Sequence, residues 1–270
     1  MRQYKNVISL SQNDRGIWDL DVSKGCTSGV LDDPKGCYSD CYAARSAKIY
    51  GYDFSKTVLR DFKTKNHEMQ IIRQINKIKE SFIRIGCSGD PSENWDHTFK
   101  ILQKIKRVNK EIVIITKHWN LLSNFQLNQL SEFKLCINTS CSALDKPDQL
   151  ARCVNEYNRL KPYCKSFLRI VSCDFNKENE SGLAMSIIQS ELFKNELTID
   201  TVFRPNKNNQ LVLDKVINVK IGNFLGKKTI LSKFNKKTYV GKCEQCTEQC
   251  GVFKDVLRRT PFYEQTKLFQ

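Results

Sequence analysis

The chain has 270 residues, 40% of them apolar, so it is long enough to bury a sizeable core within a single α/β domain. Its formal net charge of +15 favours phosphate-bearing partners such as nucleic acid, but a lysine-rich solvated surface explains the same charge equally well. No run approaches the roughly 18 apolar residues of a membrane-spanning helix, and the first residues do not resemble a signal peptide. We therefore expect a cytoplasmic protein without a membrane partner, whose cysteines are reduced.

Strand-like and helix-like segments alternate along the chain, which is typical of βα units around a parallel sheet. Six strands are predicted, at residues 16–22, 82–86, 112–116, 133–138, 167–172 and 197–203. Helices are predicted at residues 39–49, 56–79, 94–106, 121–131, 147–159 and 182–193. The sequence therefore predicts an α/β fold in residues 1–205, followed by an extension of different character in residues 206–270.

Three of the twelve cysteines lie in one loop between the first predicted strand and the first predicted helix: Cys26, Cys37 and Cys41. In a reducing compartment, clustered cysteines are more often metal ligands than disulfides. A closed zinc or iron-sulfur site usually takes four protein ligands, whereas three thiolates leave one iron open for a substrate or cofactor. This loop therefore indicates a reactive metal centre, unless Asp32, Asp33 or Asp40 supplies a fourth ligand.

Small and polar residues follow several predicted strands: Ser88-Gly89-Asp90, Thr116-Lys117, Asn138-Thr139-Ser140, Ser172-Cys173-Asp174 and Arg204-Pro205. Parallel α/β folds bind ligands at the carboxyl ends of their strands, where such residues would converge. Any one of these segments is also explained as a turn or a helix cap, and Asp90 before Pro91 is typical of a cap. Five of them at one edge favour a shared site.

A second group of cysteines lies near the end of the chain, at Cys243, Cys246 and Cys250. Their spacing, with two and then three intervening residues, is typical of a metal-binding knuckle. The sequence therefore predicts a second iron-sulfur cluster or a zinc ion in a closed structural site. The fourth ligand would come from elsewhere in the chain, with Cys153, Cys164 and Cys173 as candidates.

Several of these motifs occur together in one known family. The Cys37-Tyr-Ser-Asp-Cys41-Tyr-Ala segment, the later Ile85-Gly-Cys-Ser-Gly-Asp90 segment, the Ile115-Thr-Lys117 strand end and the terminal knuckle appear in this order. The chain resembles a family of phage-encoded proteins related to the radical SAM superfamily, from about residue 25 to residue 250. The spacing differs from the superfamily's usual Cys-x3-Cys-x2-Cys, and Tyr42 follows the last cysteine of the loop where the superfamily has an aromatic residue before it.

The resemblance implies a partial (β/α)6 TIM-like barrel with a C-terminal cysteine-rich metal-binding extension. It also implies a 4Fe-4S cluster on Cys26, Cys37 and Cys41, with S-adenosyl-L-methionine bound at the open iron and contacted by Tyr42, Ser88, Gly89 and Asp90. The implied activity is generation of a 5′-deoxyadenosyl radical that modifies or repairs a substrate such as nucleic acid. An electron donor such as flavodoxin or ferredoxin would be a partner.

A second function belongs to a different class. A non-catalytic protein would keep an iron-sulfur cluster or zinc for its shape and would use its positive charge to hold nucleic acid. The two hypotheses differ at the first cysteine loop, because the enzyme requires an open iron there and the binding protein a fourth ligand.

Overall fold

The computed structural model describes residues 1–13, 15–34, 38–202, 211, 216–217, 229–230, 246 and 249–254. Its strands are β1 (Leu10–Gln12), β2 (Trp18–Leu20), β3 (Ser23–Lys24), β4 (Val58–Leu59), β5 (Phe82–Ile85), β6 (Glu111–Thr116), β7 (Leu135–Cys141), β8 (Lys165–Ser172), β9 (Thr198–Val202), β10 (Val216–Ile217) and β11 (Thr229–Ile230). Its α-helices are α1 (Thr27–Asp32), α2 (Tyr42–Ile49), α3 (Lys65–Lys77), α4 (Trp95–Lys104), α5 (Asn124–Leu130), α6 (Pro147–Leu160) and α7 (Glu180–Leu192).

The largest sheet has seven strands in the order β1-β2-β5-β6-β7-β8-β9. Strands β2 and β5 to β9 are parallel, and β1 pairs antiparallel with β2 at one edge. Each parallel strand lies beside the next one of this series along the chain, and helices α3 to α7 lie in the connections. The predicted α/β class and the six predicted strands are confirmed. Within the described residues, no helix is long and apolar enough to cross a bilayer.

The predicted helix at residues 56–79 is wrong over its first part. Val58–Leu59 form β4, which pairs antiparallel with β3, and the helix begins only after Thr64, whose side chain caps it by accepting a hydrogen bond from the His67 amide. A two-residue strand has too few side chains to produce a period, so its pairing with a distant segment decides its conformation. Helix α1 and strand β1 are also additions to the predicted elements.

The helices cover one face of the sheet, which we call the outer face. Ile83, Ile85 and Ile114 point to this face and pack with α3, α4 and α5 into the largest apolar cluster. The opposite, inner face carries the alternate residues of the same strands, and the C-terminal residues Cys250 and Val252 pack against it beside Val113 and Phe167. Burying apolar surface on both faces is typical of parallel sheets.

Candidate functional site

Cys26 is held by the chain on both of its sides. Its backbone N–H donates to the Phe54 carbonyl at 2.9 Å, and the next residue, Thr27, exchanges two hydrogen bonds of 2.9 Å with Thr57. On the other side, Glu93 accepts from the Ser28 backbone N–H at 2.9 Å and from the Cys26 thiol. The position of Cys26 is therefore fixed by contacts with two separate segments.

Cys41 and Cys26 both lie near Tyr38, and the Cys41 N–H donates to the Tyr38 carbonyl at 3.1 Å. Each of the two residues immediately precedes a helix, α1 or α2, and neither uses its side chain for a capping hydrogen bond. The pKa of the Tyr38 phenol is raised mainly by burial and further by Cys41 and Cys26. Gly29 permits this approach, because a Cβ there would stand only 2.7 Å from the Cys26 sulfur.

The segment carrying these cysteines crosses the carboxyl edge of the parallel strands. At β5, the Tyr42 hydroxyl donates to the Cys87 carbonyl at 2.6 Å. At β7, the Lys146 ammonium donates to the Asp32 carbonyl. The segment therefore lies where βα loops converge, which is the ligand-binding edge of parallel α/β folds.

Ser88, Gly89 and Asp90 also lie at this edge, but they differ in what they offer a ligand. The Ser88 carbonyl accepts from the Gly25 N–H at 3.1 Å, and a Cβ on Gly89 would stand 2.7 Å from the Ser23 carbonyl oxygen. Both Asp90 oxygens are used within the protein, where they accept from the Ser92 amide and hydroxyl, the Thr116 hydroxyl and the Lys117 amide at 2.7 to 2.9 Å. The Asp90 carboxylate thus ties the loop after β5 to the end of β6.

A buried ion pair lies on the inner face just below this edge. Arg84 donates through Nε to Asp19 Oδ1 at 3.0 Å, and the two side chains are 9% and 10% exposed. Asp19 also accepts from Asn13 Nδ2 at 2.8 Å and from the Cys87 thiol at 3.0 Å. Burial of the Cys87 thiol raises its pKa, and the Asp19 carboxylate raises it further against the opposing effect of Arg84. Cys87 is therefore a protonated thiol at neutral pH.

The C-terminal residues 249–254 cover the other half of the inner face. The Cys250 carbonyl accepts from Asn138 Nδ2 at 3.0 Å and from the Cys136 thiol at 3.2 Å, and the Val252 carbonyl accepts from Lys165 at 2.7 Å. Gly251, at φ +87°, lies against the Phe167 ring, where a Cβ would stand 2.5 Å from a ring carbon. This segment is therefore docked on the sheet, with Cys250 directed toward Arg169.

The two predicted cysteine groups are only partly described. Cys37 and Cys243 lie outside the described residues, and Cys246 is described only as a partly buried residue of irregular structure. In the described part of the chain, no three histidine, cysteine or acidic side chains are gathered closely enough to hold a metal ion. Both three-cysteine sites therefore stay predictions. The three candidate fourth ligands are buried in apolar clusters, Cys153 beside Tyr157, Cys164 beside Leu160 and Cys173 beside Phe175. The Cys136 thiol, which was not among them, donates to the Cys250 carbonyl.

The inner-face residues Asp19, Arg84 and Arg169 are functional candidates that the sequence analysis missed, whereas Asn138 on the same face was among the predicted polar strand ends. The signal was present in the sequence, because each of them is a polar residue at an alternate position within a predicted apolar strand. Central strands of parallel sheets are usually apolar on both faces. Polar residues in period two across neighbouring strands therefore indicate a polar patch on one face.

His118 follows β6 and is directed toward the helices. It is fully buried, its Nε2 is 2.9 Å from the Thr139 hydroxyl, and its ring lies 5.9 Å from that of Trp95. Burial, with a smaller effect of the Arg159 cation, lowers the pKa of His118 to about 3. A neutral imidazole on the outer face stabilises the fold and does not reach the edge where the cysteines lie.

We expect acid to destabilise the protein through His118. Its folded-state pKa of about 3 lies below the ordinary value of 6.5, so the unfolded state binds the proton more tightly. The stabilisation is complete above pH 6.5 and falls by up to about 1.4 kcal/mol per pH unit as the pH falls toward 3. Between pH 7 and pH 4, the free energy of unfolding measured in urea should fall less for His118→Asn than for wild type, because the variant lacks the imidazole. Asparagine is chosen because it tolerates the positive φ of this position. His67→Gln, at a partly exposed position, should keep the wild-type dependence of stability on pH, and an unchanged dependence in His118→Asn would contradict the assignment.

No protein-family model, curated protein or solved structure matches this chain. The resemblance to the radical SAM superfamily therefore rests on the sequence motifs of this chain alone.

Proposed function

We propose that this chain is a radical SAM-type enzyme whose first iron-sulfur centre is held by Cys26, Cys37 and Cys41. The observation that carries the proposal is the place of the cysteine segment. Cys26 and Cys41 both lie near Tyr38, and Tyr42 connects their segment to the carboxyl edge of the sheet through its 2.6 Å hydrogen bond to the Cys87 carbonyl. Neither described thiol is used in a helix cap, which suits them to bind a metal.

The sheet supports the finer fold proposal, a partial (β/α)6 barrel. A doubly wound sheet reverses its strand order at a switch point, whereas a barrel places its strands in the order of the chain. Strands β2, β5, β6, β7, β8 and β9 follow the chain order without reversal. The extension at residues 206–270 belongs to the same proposal, with Cys243, Cys246 and Cys250 holding zinc or a second cluster.

When bound, the 4Fe-4S cluster and S-adenosylmethionine would supply a 5′-deoxyadenosyl radical for hydrogen abstraction. In this proposal Tyr42 and the backbone of Ser88 and Gly89 bind the cofactor. Asp90 was predicted to contact its amino group, but the four protein donors on its carboxylate favour a role in positioning the loop. The docked segment 249–254 excludes water from the deep half of the inner face, where Cys136 and Phe167 are fully buried.

The test is made on full-length protein that has been purified and reconstituted without oxygen. We expect iron and sulfide at the first centre, an EPR spectrum of the dithionite-reduced protein that changes when S-adenosylmethionine is added, and 5′-deoxyadenosine detected by chromatography. Zinc in place of iron, or a cluster that does not respond to S-adenosylmethionine, would overturn the enzyme proposal. Either result would favour the non-catalytic nucleic-acid-binding protein, for which the net charge of +15 is the supporting observation.

A further inference from the structure

Arg169 lies on the inner face in the middle of β8, where it is partly buried. Its contact with the rest of the described chain is weak, because Nη1 is 4.0 Å from the Cys250 sulfur. Among the described residues, no carboxylate pairs with this guanidinium. A guanidinium carries several N–H donors in a rigid fork, so a partly buried arginine without an acid partner has donors left for a ligand.

Two polar side chains of β7 lie beside Arg169. Ser140 is its register partner and is partly exposed, and its hydroxyl contacts no protein donor or acceptor within the described ranges. Asn138 lies two residues earlier on the same face and is fully buried. Its Nδ2 donates to the Cys250 carbonyl, but its Oδ1 has no protein partner in the described part of the chain. Asn138 contacts the Cys250 carbonyl and Arg169 approaches the Cys250 sulfur, so these two side chains meet at Cys250, and Ser140 lies beside Arg169 on the neighbouring strand.

The two partly exposed groups, Arg169 and Ser140, select for a ligand with an anionic end. A guanidinium beside a hydroxyl is suited to phosphate, which accepts several charge-assisted hydrogen bonds at once. Asn138 is fully buried and cannot meet such a ligand, but its amide holds the Cys250 carbonyl beneath the two groups. The net charge of +15 would attract such a ligand over a longer range.

We propose that Arg169 and Ser140 form a phosphate-binding subsite for a phosphate-bearing substrate such as a nucleotide. This inference rests on the proposed function, because it names the substrate class of the same inner face. Residues 249–254 form the floor of the subsite, and Ile115, Val171 and Thr201 are its partly exposed neighbours on the open side. The Arg84 guanidinium is not part of the subsite, since its Nε is held by Asp19.

The test compares two probes that differ only in a phosphate group, deoxycytidine 5′-monophosphate and deoxycytidine. Calorimetry on the reconstituted full-length protein at constant ionic strength should show that Arg169→Gln weakens binding of the monophosphate about tenfold, the loss expected for a charge-assisted hydrogen bond. Deoxycytidine binding should not change. Arg169→Lys should keep part of the affinity for the monophosphate, because it restores the charge without the planar fork.

Arg73→Gln is the matched control, because it removes the same charge from an exposed position on α3. Equal affinity of Arg169→Gln and Arg73→Gln for the monophosphate would overturn the subsite. A loss of affinity for S-adenosylmethionine alone would also overturn it, because Arg169 would then hold the cofactor carboxylate. Loss of monophosphate affinity in Arg169→Gln supports the subsite whether or not the wild-type protein makes 5′-deoxyadenosine. Absence of 5′-deoxyadenosine overturns only the proposed function.

Discussion

Cys41→Ala is expected to remove the first iron-sulfur centre and to reduce 5′-deoxyadenosine formation to the level of cluster-free protein. Three thiolates are the minimum for an iron-sulfur cluster that keeps one open iron, so the two thiolates that remain should not hold the cluster. The fold should survive, with a loss of about 1 kcal/mol or less in the free energy of unfolding, because the Cys41 side chain makes no capping hydrogen bond. Iron content, the reduced EPR spectrum and thermal unfolding measure these effects.

Cys141→Ala is the matched control for this variant. Cys141 is fully buried on the outer face with Cys153 and Tyr157, so its loss creates a small cavity but removes no predicted ligand. The control should therefore keep the iron of the first centre even if it is less stable than wild type. Full iron content and activity in Cys41→Ala would refute the ligand assignment.

Asp19→Asn is expected to destabilise the protein by about 3 kcal/mol, because it leaves the buried Arg84 cation without a compensating charge. Burial alone disfavours the Arg84 cation, but the pKa of Arg84 is raised, and at neutral pH, where Cys87 is protonated, the charge that offsets the burial is that of Asp19. The substitution also replaces one carboxylate oxygen with an NH2 group, so Asn13 or Cys87 loses its acceptor. Urea unfolding at neutral pH measures the change in the free energy of unfolding. The dependence of that free energy on urea concentration should be the same in both proteins.

Glu191→Gln provides the control for the ion pair. Glu191 and Lys194 are 2.6 Å apart, but their side chains are 60% and 70% exposed, so we expect an effect below about 0.5 kcal/mol. The double variant Asp19→Leu with Arg84→Met should regain much of the stability lost in Asp19→Asn, since an apolar pair of similar volume requires no buried charge. A loss below about 1 kcal/mol in Asp19→Asn would mean that water reaches Arg84.

The central sheet could be predicted from the sequence because its strands are short, mostly apolar segments. Residues 112–115 are all apolar and residues 82–85 are apolar except for Arg84, and both segments are strands of the sheet. The pairing of β3 with β4 could not be predicted, because it joins two-residue segments that are far apart in the chain. Local patterns also gave no reason to separate residues 58–59 from the helix that follows them.

The candidate site was predictable in its location but not in its detailed roles. The cysteine spacing and the polar strand ends both indicated the carboxyl edge, where Cys26 and Cys41 lie. The role of Asp90 depended on its distance to the Thr116 hydroxyl and the Lys117 amide, which no sequence pattern encodes. The docking of Cys250 on Asn138 is likewise a contact between side chain and backbone across 112 positions.

The docking of residues 249–254 has a consequence for the order of folding. Each parallel strand pairs with a neighbour that precedes it closely in the chain, so the sheet can assemble progressively during synthesis. The contact of Cys136 with Cys250 spans 114 positions, and closing so long a loop carries a large entropic cost. The part of the inner face beneath this segment therefore stays uncovered on the ribosome until the last of these residues emerges, and Cys136 and Phe167 are accessible to solvent during that interval.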